Sequence, residues 1–260
     1  MSAAAERPRP LVVAIDGPSG SGKSSVSRAV ARKLGLGYLD TGAMYRAATW
    51  SCLADGVDLS DEQAVAEHVA AMDLRMGTDP EAPGVQVGEE DVATQIRATR
   101  ISARVSTVAT NQAVRDELRR RQREIIAAES AGRREGCVAE GRDITTVVAP
   151  DADVRILLTA SEEARLARRA LEVHGSADAK AVAATRDQIV RRDRDDSTVA
   201  TFHVAADGVV ELDSSDLDFE QTVKAVLQVV VTTLAEAGPT GDGSVSLEEL
   251  TDHAGAGARA

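Results

Sequence analysis

Apolar and polar positions change period along this chain at readable points. Leu11 to Ile15 is a short, nearly continuous apolar run, as expected of a strand buried on both faces. Past a turn rich in Gly and Ser, Val26, Ala29, Val30 and Leu34 recur at helical spacing, with Arg28, Arg32 and Lys33 on the other side. Gly35 and Gly37 end that helix, and Tyr38-Leu39 leads to a helical pattern from Ala43 to Leu53, with Thr41 or Asp40 as its cap. Residues 60–71 predict a further helix opened by Ser60, with acids in its first turn. The period then shortens to two. Met72 to Met76 alternates, 79–84 is a turn cluster, and Val85-Gln86-Val87 alternates again, so a small antiparallel hairpin is predicted, continued by Glu89 to Val92. Residues 94–108 and 111–129 read as helices, the second rich in Arg/Glu pairs. Cys137 to Ala139 is a second buried-strand candidate, followed by the apolar run Ile144 to Val148, and Val154 to Thr159 is a third strand. Helices over 162–173 and 178–196, a strand over Gly208 to Asp213 and a closing helix over 219–236 complete the pattern. Strand–helix alternation without an internal repeat predicts an α/β, doubly wound core.

Composition narrows the class. A chain of 260 residues can bury one substantial core with a small inserted subdomain. Hydrophobic content of 43% and charged content of 28% are those of a soluble globular protein. Aromatics make up only 2%, which argues against reading bases with rows of stacked rings. A net charge of −12 argues against general binding to nucleic acid or anionic membranes, although clustered arginines leave room for positive pockets. Cys52 and Cys137 fit neither a disulfide framework nor a zinc site, and are expected to be buried thiols in a reducing compartment. His68 has no metal-spaced partner and is expected at the surface. The first ten residues lack the apolar core of a leader, and no apolar run is long enough to span a bilayer, so a cytoplasmic location is expected. From Gly238 on the chain is rich in Gly and Ala and reads as a disordered tail over 238–260. Its GDGSVSLEE segment resembles part of a calcium loop, but Gly238 and Thr240 before it stand where that loop needs carboxylates or amides, so calcium is not expected.

The chemistry begins in the first turn. Gly17-Pro18-Ser19-Gly20-Ser21-Gly22-Lys23-Ser24 fits the phosphate-binding loop G-x-x-x-x-G-K-[ST], between a predicted strand and a predicted helix, with Ser25 next. Small residues let the backbone curl until its N–H groups face phosphate oxygens, and the helix adds the positive end of its dipole. Lys23 would reach the β- and γ-phosphates, and the Ser24 hydroxyl would hold Mg²⁺. Three more clusters suit phosphate. Asp40-Thr41-Gly42 with Tyr45 and Arg46 joins a helix start to a guanidinium. Glu140-Gly141-Arg142-Asp143 follows a strand, at the sheet edge where ligands bind in open α/β folds. Arg191 to Asp196 is an arginine-rich segment late in the chain. Each alone reads as a solvated charge run; together they point to a nucleotide and a second phosphate.

At this level of detail the sequence resembles the bacterial cytidylate kinases. The pieces that carry the likeness are IDGPSGSGKSSVSR at 15–28, LDTGAMYR at 39–46, VGEEDVATQIR at 87–97, the run at 102–123, VAEGRDITTVV at 138–148, VRILLTASEEARLARR at 154–169 and IVRRDRDDS at 189–197. The resemblance covers roughly 11–232. It implies a P-loop nucleoside monophosphate kinase: a core of 11–60 and 130–232, an inserted acceptor-binding region over about 61–115, and a helical lid over about 175–197. It also implies that Thr41, Tyr45 and Arg46 help bind the nucleoside monophosphate, that Ser106, Arg115 and Asp143 read cytosine, and that Arg142 holds the acceptor phosphate. Arg192 and Asp196 would approach sugar and phosphates, and Arg168 would stack on adenine. The implied reaction is ATP- and Mg²⁺-dependent phosphorylation of CMP and dCMP by a monomer, with Lys23, Arg142, Arg192 and Arg194 supplying positive charge. The sequence departs from the family at Val199, where an arginine usually clamps phosphate, and Arg194 is the expected substitute. Rival readings are a kinase of UMP, AMP or shikimate, and a P-loop switch protein, which the absence of an N-K-x-D segment disfavours.

Overall fold

The computed structural model describes residues 10–236, apart from 133, 177, 179–181, 184, 185, 187–192, 195, 196 and 201. Most of the helix expected over 178–196 and the whole tail from 238 lie outside the described residues. The chain opens with β1 (Leu11–Asp16), α1 (Lys23–Leu34), β2 (Gly37–Asp40), α2 (Thr41–Ala54) and α3 (Glu62–Ala71). A three-stranded antiparallel sheet of β3 (Leu74–Met76), β4 (Val85–Val87) and β5 (Glu90–Asp91) follows. A 3-10 turn (Gln95–Arg97), α4 (Thr99–Ser102), α5 (Val105–Ala109) and the long α6 (Gln112–Ala131) return the chain to β6 (Gly136–Gly141). The last elements are a π-helical turn (Ile144–Val148), β7 (Val154–Thr159), α7 (Glu162–His174), β8 (Val210–Asp213) and α8 (Phe219–Glu236).

The large sheet is parallel throughout, in the order β2-β6-β1-β7-β8, as the strand–helix alternation predicts. Alternate residues of its strands serve opposite cores. Ala14, Cys137 and Ala139 face a core shared with Leu39, Met44, Val69 and Leu118, whereas Val13, Ile15 and Val138 face one shared with Val30, Ile156 and Val226. The first core lies under α2, α3 and α6, and the second under α1 and α8. Both cysteines are buried and free, and burial pushes the Cys137 thiol up to about 12. In the register, Ile15 pairs with Glu140, Asp16 with both Gly141 and Leu157, and Asp40 with Glu140. The carboxyl ends of four strands therefore finish side by side, and the phosphate-suited turns after β1, β2 and β6 start from that edge.

Several local expectations are corrected. Gly37–Asp40 is a fully buried strand, although only Tyr38-Leu39 signalled it. Residues 94–108 do not form one helix. They break at Ala98 and Arg104, because their many Ser and Thr residues compete with the helix for backbone hydrogen bonds. The cap of α3 is Asp61, which accepts the Gln63 and Ala64 N–H groups, while Ser60 donates to Asp58. His68 is half-buried rather than at the surface, 2.7 Å from the Ser51 hydroxyl and 3.7 Å from Asp55. The same ring nitrogen faces both partners, so these three residues form no proton relay. Among the described residues, no helix is long and apolar enough to cross a membrane.

Candidate active site

The turn after β1 is positioned by two glycines. A Cβ at Gly17 would come 2.2 Å from the Leu158 carbonyl oxygen, so only glycine lets the loop leave the sheet so close to β7. Gly22, at φ 87°, turns the chain into α1 in the left-handed region. Three arginines hold the loop from outside. Arg142 donates to the Gly17 carbonyl oxygen at 2.6 Å and to the Ser19 hydroxyl at 2.8 Å. Arg165 donates to the Ser19 carbonyl oxygen at 2.9 Å, and Arg168 to that of Ser21 at 3.1 Å. With those carbonyls turned to guanidinium groups, the backbone favours N–H groups toward the concave side. Asp193 adds an anion: its carboxylate accepts the Ser19 N–H at 2.9 Å, pairs with Arg165, and lies 3.9 Å from Arg142. Lys23 reaches the Pro18 carbonyl oxygen at 3.4 Å.

Beside the loop, β6 and β2 bring up carboxylates. Ser24 donates to Glu140 Oε1 at 2.6 Å, and the Tyr38 hydroxyl lies 3.4 Å from the same atom. Burial raises the Glu140 carboxyl, with help from Asp40, against the opposing pull of Lys23 and Ser24. Burial works the same way on Asp40, but Arg46, the Ala43 N–H and Arg97 outweigh it and hold that carboxyl below its usual range. Asp40 caps α2 through Ala43 and pairs with Arg46 at 3.1 Å. Thr41 donates its hydroxyl to the Glu140 carbonyl oxygen at 2.7 Å, tying α2 to β6. A hydroxyl and a carboxylate 2.6 Å apart beside the loop are hard oxygen donors, and that set suits Mg²⁺. Glu140 is the partner that sequence reasoning missed there; its place before Gly141-Arg142-Asp143 was the available signal.

The far end is built around Asp143. Its Oδ2 accepts from Arg115 at 2.6 Å and from Arg119 Nε and Nη2 at 3.0 and 2.6 Å. Arg115 also donates to the Ala109 carbonyl oxygen, and its guanidinium lies 5.9 Å from the centre of the Tyr45 ring. The Tyr45 hydroxyl is buried without a partner among the described residues, and burial pushes it up to about 12. Ser106 is half-buried in α5, where Val105 and Ala109 line the cavity and Ser106 itself does not.

These groups share one cavity of about 480 Å³. Its wall includes Ser19, Gly20, Gly22 to Ser25, Thr41, Tyr45, Arg46, Arg115 and Glu140 to Asp143, with Arg28, Arg97, Arg169 and Ala200. Seven cationic side chains face three carboxylates there, which suits an anionic ligand. Arg168 lies behind the loop, where it also donates to the Ser214 and Leu217 carbonyl oxygens, so its N–H groups are engaged with backbone. Arg194 is exposed and does not line the cavity. Val199 is half-buried next to Ala200, and Arg192 and Asp196 lie outside the described residues.

Comparison with known proteins agrees over the same span. The family model described as Cytidylate kinase matches residues 13–232. A cytidylate kinase of Streptomyces avermitilis is 47% identical over 221 residues, covering 85% of this chain and 92% of its own. Those of Cutibacterium acnes and Rhodococcus opacus are 49% and 47% identical, covering 86% and 85% of this chain and 98% and 94% of their own. With a loop of the phosphate-binding pattern and a second, arginine-rich cluster on one edge of a parallel sheet, this chain belongs to the cytidylate kinase family of nucleoside monophosphate phosphotransferases.

Proposed function

We propose that the protein transfers the γ-phosphoryl group of ATP to CMP and dCMP, as a cytoplasmic monomer acting on small-molecule nucleotides. The observation that carries this reading is the shared cavity, with Lys23 and Ser24 in one part of its wall and Asp143 and Arg115 in another. The loop from Gly17 to Ser24 holds the ATP phosphates, and Lys23 neutralises charge as the phosphoryl group moves. Ser24 and Glu140 would hold Mg²⁺, which supplies charge neutralisation on the donor phosphates. Arg46 and Arg142, with Arg192, receive the acceptor phosphate. A phosphate oxygen of the acceptor is already a competent nucleophile, so the side chains need only align it and exclude water. Asp143 accepts from the exocyclic amino group of cytosine, while Arg115 and Ser106 donate to its ring acceptors. In this reading residues 61–115 bind the acceptor and 175–197 close over both substrates.

Release of ADP from ATP and Mg²⁺, followed separately with CMP, dCMP, UMP and AMP, tests the proposal. CMP and dCMP should be used well, UMP poorly and AMP least. Equal use of UMP would remove cytosine from the reading.

A further inference from the structure

Asp143 is held in an unusual way. Its backbone is set by the π-helical turn, where its carbonyl oxygen accepts the Val147 and Val148 N–H groups at 2.9 and 3.1 Å. Its side chain is set from α6, on which Arg115 and Arg119 stand one turn apart on the same face. Both guanidinium groups close on one atom, Oδ2, and Arg119 does so with two N–H groups. Among the described residues, no hydrogen bond reaches Oδ1. Asp143 and Arg115 line the cavity, whereas Arg119 does not and acts from behind the carboxylate. Its only other ion-pair partner among the described residues is Asp116, at 3.7 Å on the outer surface of α6.

We propose that Arg119 is a positioning residue that sets the choice of base, by holding Oδ2 so that Oδ1 is presented to the cavity in one fixed direction. This inference rests on the reading of Asp143 given above. A carboxylate turns easily about its last torsion, whose wells are broad. One guanidinium can pair with it through either oxygen; a second on the same oxygen removes that freedom. A fixed Oδ1 rewards the cytosine amino group with a hydrogen bond. It opposes the uracil carbonyl at the same place, lone pair against lone pair. Without Arg119 the carboxylate can swing, which weakens the reward and relieves the opposition. Discrimination therefore falls more than affinity does.

The test compares Arg119→Leu, Arg119→Lys and Asp143→Asn with the native protein, by kcat/KM for CMP and for UMP at saturating Mg·ATP. Arg119→Leu should lower the CMP value about ten-fold, mainly through KM, with UMP unchanged or raised by up to about two-fold. Arg119→Lys, which can still donate to Oδ2, should restore most of the CMP/UMP ratio. Equal losses for CMP and UMP in the leucine variant would make Arg119 merely structural and overturn the proposal. Asp143→Asn separates the two ideas. If it leaves the ratio unchanged, Asp143 does not read the base, and the proposal falls with that reading. If it collapses the ratio while Arg119→Leu does not, only the positioning role is wrong. Should the leucine variant not fold, Arg119→Gln, which keeps one N–H group, is judged on the same ratio and by the same outcomes.

Discussion

At the scale of single residues, charge around the transferring phosphate is the quantity to apportion. By resemblance to the family an arginine is expected where this chain has Val199, with Arg194 as the expected substitute. Arg194 is exposed outside the cavity wall, while Arg169 of α7 stands in that wall. A charge-assisted contact contributes roughly 1.5–3 kcal/mol, or about ten- to a hundred-fold in rate when made mainly in the transition state. Arg169→Ala should cost that much in kcat/KM for CMP, and Arg194→Ala clearly less. The reverse order, read from steady-state kinetics of the two variants, would return the clamp to Arg194. Val199→Arg is the complementary measurement: a strong gain would mean that neither residue had taken over.

At the scale of elements, α6 carries both the site and its own anchorage. Its inner face presents Arg115 and Arg119 to Asp143. Two residues past Arg119, on another side of the helix, Arg121 donates to the carbonyl oxygens of Val69, Ala70 and Met72, which ties α6 to the end of α3. Glu117 steadies that arginine at 2.6 Å. Hydrogen bonds from Arg120, then those from Arg121, hold the Glu117 carboxyl at about 2, below its ordinary 4.5. The folded value is the depressed one, so the contribution is present above the unfolded value of 4.5 and is lost as pH falls toward 2. Arg120, the first of these partners, is itself half-exposed, and screening by solvent limits the worth of the cluster to roughly 1 kcal/mol or less. Thermal melts of Glu117→Gln should therefore lie slightly below native melts at pH 7, with a gap that narrows below about pH 5 and closes as pH falls to about 2. A gap that stays constant over that range would show that the ion pair is not what steadies α6.

At the scale of the whole molecule, the sheet edge joins two ends that should respond separately to ligands. The phosphate loop belongs to β1 and α1, while the Asp143 end is held by α6 and the turn after β6. A ligand at a hundred times its Kd stabilises the fold by about 2.7 kcal/mol, which for a domain of this size is a rise in Tm of about 5–10 °C. Mg·ATP and CMP should each produce such a rise. Lys23→Ala should abolish most of the ATP response, keep the CMP response and lower kcat by orders of magnitude. Loss of both responses together would mean that Lys23 supports the fold and not the donor site alone.

What the sequence determines by itself is what short spacing can encode. The eight residues from Gly17 to Ser24 are contiguous, so their pattern is legible without any fold, and short apolar runs and helical periods mark β1, β7, α1 and α8 directly. The strand Gly37–Asp40 is too short for its period to show, and the Ser- and Thr-rich stretch over 94–108 has helical spacing without helical propensity. Only the tertiary structure decides which distant residues meet. Ser24 finds Glu140 because β1 and β6 run parallel with Ile15 opposite Glu140. Arg119 finds Asp143 because α6 packs its apolar face over that sheet edge with Arg115 and Arg119 turned inward beside it. Along the chain that arginine is one of several in a run that reads as a solvated face. Burial against a carboxylate, which no local spacing encodes, separates it from its neighbours.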